Sequence, residues 1–100
     1  MEEYQIEAIR KIANSEFILS IYPMIDNIKV SYSPDNNLLT FLIYLNTNDI
    51  NGRNTYDKGL DTHYLVEYHI RKFFPYLGIS DLVLSSAVVY NKSGKYVYHW

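Results

Sequence analysis

The stretch "IKVSYSPDNNLLTFLIYL", Ile28 to Leu45, constrains what this chain can fold into more than any other part of it. Ile28, Val30 and Tyr32 alternate with Lys29, Ser31 and Ser33, the period-two pattern of a half-buried strand. "SPDNN" then supplies a proline and Asp/Asn turn, and Leu38 to Leu45 is a run of β-forming residues. With residues 34–37 as the loop, Tyr32 pairs with Leu39, Val30 with Phe41 and Ile28 with Ile43. Those residues and Leu45 form one apolar face. The other face holds Lys29, Ser31, Ser33, Leu38, Thr40, Leu42 and Tyr44, more apolar than contact with water requires.

The remaining elements must cover the first face. Residues 2–22 predict a helix with Ile6, Ile9, Ala13, Phe17 and Ile21 at spacings of three and four. Glu2, Glu3 and Glu7 suit its N-terminal end, Pro23 stops it, and the weak helix formers Asn14 and Ser15 mark a place where it can break. Residues 46–59, "NTNDINGRNTYDKG", form a long polar loop of the kind that often carries function. Asp57 or Asp61 then caps a second helix running to about Phe74, before Pro75 and Gly78. Its core stripe is Val66, Ile70, Phe73 and Leu77; Leu60, Tyr64 and Tyr68 lie on another side, and Tyr64, Tyr68 and Lys72 with the neighbouring 46–58 loop form a second partner-facing surface.

"DLVLSSAVVYNKSGKYVYHW" ends the chain as another hairpin with "NKSG" as its loop. Pairing Tyr90 with Lys95 sets Val89 beside Tyr96, Ala87 beside Tyr98 and Ser85 beside Trp100, small residues against large rings. Leu82, Leu84, Val88 and Val97 then face the helices. The expected fold is a single domain, 1–100, of the α+β class: a two-layer sandwich in the order α-β-β-α-β-β, with a mainly antiparallel four-stranded sheet and both helices on one face. The uncovered face would carry Tyr96, Tyr98, Trp100, Leu42, Tyr44, Ala87 and Val89 as an interface, since a large apolar patch marks an interaction site.

Chemistry leaves few traces. Cysteine is absent, which excludes disulfides, thiolate nucleophiles and cysteine-bound metals. His63 and His69 are six apart and leave a helix on different sides, a poor metal spacing, and Glu67 with Arg71 reads as ordinary helix-surface pairing. No phosphate-binding glycine loop, nucleophile elbow or basic run appears, so no enzyme activity, cofactor or metal is expected. The acidic opening "MEEYQIEAIRK" lacks the basic start of a signal peptide, and no apolar run is long enough to span a bilayer, so a cytoplasmic protein with no membrane partner is expected.

The formal charge of -2 decides between two uses of the aromatic sheet face. Residues 1–50 hold three basic and seven acidic side chains and residues 51–100 hold six and four, a small asymmetry. A platform for single-stranded nucleic acid needs a clear positive field, whereas a self-complementary homodimer or another protein contact does not. Eleven tyrosines, apolar in body and polar at the tip, suit such an interface. The expected function is a non-enzymatic interaction protein of accessory, regulatory or inhibitor type, with nucleic-acid binding as the alternative.

Overall fold

A computed structural model describes residues 1–48 and 61–99, Tyr98 by its backbone. Asp57, Leu60, Trp100 and most of the 46–59 loop lie outside the described residues. The architecture is α+β. Helices α1 (Glu3–Ala13) and α2 (Glu16–Ile21) precede strands β1 (Ile25–Ser33) and β2 (Leu38–Leu45). A helical run, α3, occupies 62–77 and leads to β3 (Leu84–Tyr90) and β4 (Tyr96–His99). Among the described residues the four strands form one sheet in the order β1-β2-β3-β4. The outer pairs are antiparallel and the central β2–β3 pair is parallel, so the sheet is mixed though mostly antiparallel.

The first hairpin has the register its alternation predicts: Tyr32 opposite Leu39, Val30 opposite Phe41, Ile28 opposite Ile43. Its turn closes on Asn37, held at φ 50, a left-handed conformation that asparagine tolerates. Asn37 accepts a hydrogen bond from the Tyr32 hydroxyl at 2.6 Å, and its carbonyl accepts the Leu84 N–H at 2.9 Å. The turn is thereby tied to the start of β3.

The first helix breaks at Asn14–Ser15. Ser15 caps α2 by accepting from the Ile18 N–H at 3.3 Å. The break resets the helical phase, so Ile18 and Tyr22 are buried in place of the expected Phe17 and Ile21, which lie exposed. In α3, Asp61 is the N-cap, accepting from the Tyr64 N–H at 3.2 Å. The run then changes type, with a π segment at Leu65–Ile70 and 3-10 turns at Arg71–Phe73 and Pro75–Leu77, ending at Gly78 with φ 69. The wider hydrogen-bond spacing of the π segment delays the phase, so Phe74 enters the core where a 3.6-residue period places Phe73.

The core lies between the sheet and the helices and centres on Ile9, Ile18, Leu39, Phe41, Ile43, Leu65, Val66, Ile70 and Phe74. Each such side chain, fully buried, contributes about 1.5–3 kcal/mol. The second hairpin corrects the expected faces. Ala87 and Val89, expected on the open face, are 0% exposed in this core, whereas Leu84, expected inside, is 60% exposed. Leu82 is also exposed and Val88 only half-buried. The reason is steric: Ala87 stands beside Phe41 in the parallel pair, and the small residue leaves room for the ring. The β3–β4 register differs too. Tyr96 pairs with Tyr90 and Tyr98 with Val89, with a shift between Val89 and Tyr90 that the simple pairing did not include.

Candidate functional site

The registers of the three strand pairs lay the open face out in rows. Asn27, Tyr44, Tyr90 and Tyr96 form one row, and Lys29, Leu42, Val88 and His99 the next. Ser31, Thr40 and Ser86 follow, then Ser33, Leu38 and Leu84. Leu42, Tyr44 and Tyr96 therefore stand on the open face, while Ala87 and Val89 do not. Val88, Tyr90 and Leu84, which the sequence reading did not include in this site, take their places. Nothing in the sequence favours one phase of "LVLSSAVVY" over the other, because both phases are equally apolar.

The rings of this face are ordered by one another. Tyr44 and Tyr90 stack with centroids 5.1 Å apart and planes inclined at 16°. That separation is close to the spacing of neighbouring strands, so the rings stand on edge, side by side across the sheet. Lys29 Nζ lies 5.3 Å from the Tyr44 ring on its β1 side. The Tyr96 hydroxyl bonds His99 Nδ1, and Thr40 and Ser86 hydroxyls bond at 3.2 Å. At one end of the face a cleft of about 410 Å³ is lined by Asp26, Lys29, Tyr44, Asn46, Asn91 and Lys92 among others.

The second expected surface is assembled around His69. Tyr64 and Tyr68 stack on each other at 4.7 Å and 7°. The His69 ring meets Phe17, Tyr22, Tyr64 and Tyr68 edge-on at centroid distances of 5.1–6.0 Å. Its Nδ1 is buried with no hydrogen-bond partner among the described residues. Burial, and secondarily the Lys72 ammonium, push the His69 pKa down from its ordinary value. Burial, with Asp61 and Tyr64 adding to it, pushes the Tyr22 phenol up to about 12.

The His69 shift has a pH consequence. The unfolded chain binds the proton at an ordinary histidine value near 6.5, the folded chain only at lower pH. Stability is therefore expected to fall as pH drops through about 6.5, levelling off below the folded-state pKa. Thermal melts between pH 8 and pH 5 should show this decline, and His69→Phe should flatten it. Equal slopes in the two proteins would refute the assignment.

The other titratable groups singled out in the sequence do not converge. Glu67 pairs with Arg71 at 3.5 Å on the helix surface, and His99 sits beside Tyr96 on the sheet. Among the described residues no three His, Asp or Glu side chains are placed to share a metal ion, and no helix is long and apolar enough to cross a membrane. No protein-family model matches the sequence, and comparison with curated proteins and with solved structures returns no match.

Proposed function

We propose that the chain is a non-enzymatic binding protein, of accessory, regulatory or inhibitor type, that pairs with a second copy of itself through the open face of its sheet. The observation that carries this reading is the symmetry of the rows. A two-fold axis parallel to the strands, between β2 and β3, sets Tyr44 over Tyr90 of the second copy, Leu42 over Val88, Thr40 over Ser86 and Leu38 over Leu84. In these two central columns apolar residues meet apolar ones and hydroxyls meet hydroxyls; the outer columns bring Asn27 over Tyr96 and Lys29 over His99, with no carboxylate in any row. Four strands by about seven residues give a footprint of about 450 Å² per copy, about 900 Å² in total. That is the low end for specific interfaces, so the dimer is weak and concentration-dependent.

Lys29 and Lys92 beside the tyrosines lend some support to a single-stranded nucleic-acid platform, but the ring geometry weighs against it. Stacking on a base needs a free ring face, and Tyr44 has Tyr90 on one side and Lys29 on the other. Ring edges and hydroxyls are what this row offers outward, and they suit a protein surface.

Light scattering across micromolar to millimolar concentrations should show the mass rising toward twice the monomer. Leu42→Lys, on the solvent side of a folded monomer, should hold the protein monomeric at every concentration. A wild-type chain that stays monomeric at millimolar concentration removes the dimer. Salt-sensitive binding of a short single-stranded oligonucleotide, lost in Tyr44→Ser, would replace it with the nucleic-acid reading.

A further inference from the structure

The helix layer carries a second apolar surface, and its origin is the phase reset at Asn14–Ser15. With Ile18 and Tyr22 in the core, α2 turns Phe17 and Ile21 outward. Across from them α3 presents the stacked pair Tyr64–Tyr68, then Lys72, Phe73 and Tyr76 one to two turns on. Tyr68 is 62% exposed and Tyr76 87%. Lys72 joins the two elements: its Nζ lies 5.4 Å from the Phe17 ring and 5.5 Å from the Phe73 ring. Beside Lys72, Phe73 and Tyr76 is an open cleft of about 450 Å³.

The ridge carries, among the described residues, Asp61, the α3 N-cap beside Tyr64, at one end and the Lys72 ammonium at the other. Among the described residues Lys72 makes no ion pair, and the carboxylate on its own helix, Glu67, is turned to Arg71. A single ammonium held between two rings, inside an aromatic ridge, is complemented by an apolar surface carrying one negative charge. A polyanion would want several cations, and among the described residues the ridge has one. The Tyr64 and Tyr68 rings also face each other, leaving less ring surface for bases.

We propose that this ridge docks an apolar peptide segment of another protein, with an Asp or Glu carboxylate of that segment seated on Lys72. The partner's apolar side chains cover Phe17, Tyr68 and Tyr76, and its carboxylate is the counter-charge that no described residue gives Lys72.

The test is an NMR titration of the full chain at pH 7 with a synthetic 12-residue peptide of Leu, Phe and Asp. Its Asn and Lys counterparts and a 12-nucleotide single strand serve as the other arms. The acidic peptide is expected to shift the ring resonances of Tyr64, Tyr68 and His69. Lys72→Met, an exposed and well-tolerated change, should weaken binding about fivefold or more. Leu42→Lys should bind the peptide as wild type does, which separates this surface from the sheet face. No response to the acidic peptide at millimolar concentration overturns the proposal. So do equal binding of the Asn peptide, indifference to Lys72→Met, or binding of the oligonucleotide in the peptide's place.

Discussion

Arg71→Ala is expected to lower the stability of the chain by about 3 kcal/mol, a fall of about 12–24 °C in melting temperature. The guanidinium gathers the end of α3 and the approach to β3 into one knot. Its Nη1 donates to the Val83 carbonyl at 2.6 Å and to the Ser85 hydroxyl at 2.6 Å, and its Nη2 donates to the Asp81 carbonyl at 2.8 Å. Its Cζ also lies 4.7 Å from the Phe74 ring centre. Charge-assisted bonds of this kind are about twice as strong as neutral ones, and the truncation strands their acceptors. Lysine has no planar fork to span three acceptors, so Arg71→Lys should recover less than half of the loss. The Glu67 ion pair is the minor partner: it is surface-exposed, and Glu67→Ala should cost no more than about 0.5 kcal/mol. Chemical denaturation of the three variants decides the ranking; a Glu67→Ala loss equal to that of Arg71→Ala would contradict it.

Asn14→Ala should cost about 2–3 kcal/mol and make the protein prone to aggregation. β1 is an edge strand, and Asn14 pairs with its outward backbone much as a neighbouring strand would. The side-chain oxygen accepts the Ile28 N–H at 2.8 Å, and the amide nitrogen donates to the Ile28 carbonyl at 2.7 Å. Arg10 covers the next outward group, donating to the Val30 carbonyl at 3.1 Å. Removing Asn14 frees the outward Ile28 N–H and carbonyl at the edge of a nine-residue strand, an opening for pairing with another chain. Asn14→Asp is nearly isosteric but turns an oxygen toward the Ile28 carbonyl, so it should lose as much as alanine. Denaturant midpoints and light scattering over time check both effects; a wild-type midpoint for Asn14→Asp would overturn the hydrogen-bond account.

Neither role was legible in the sequence. Asn14 reads as a weak helix former and Arg71 as half of a surface pair, because local spacing shows only local partners. Their decisive contacts lie 14 and 12 residues away, across the fold. The first hairpin was legible, since polar and apolar residues alternate cleanly along β1 and its turn is rich in Pro, Asp and Asn. The second was not: apolar residues fill both phases of β3, and the register shift at Val89–Tyr90 breaks the simple count. Phe17 and Ile21 were misplaced for a related reason, as a periodicity run through a helix break carries the wrong phase beyond it. The same phase reset is what adds Phe17 and Ile21 to the Tyr64, Tyr68 and Lys72 surface that the sequence does show.

The parallel seam between β2 and β3 also divides the chain by the entropy of closing it. Partners across the seam are 46 residues apart in sequence, as in Leu42 and Val88, whereas partners in the first hairpin are 5 to 20 apart. Closure cost grows with the logarithm of loop length, so the seam costs about 1 kcal/mol more than a typical hairpin pair. That excess is fixed by topology and is indifferent to side chains. The seam's own core residues, Leu39, Phe41, Ala87 and Val89, offset it together with the contacts of Phe17 and Tyr22 against His69 in the helix layer.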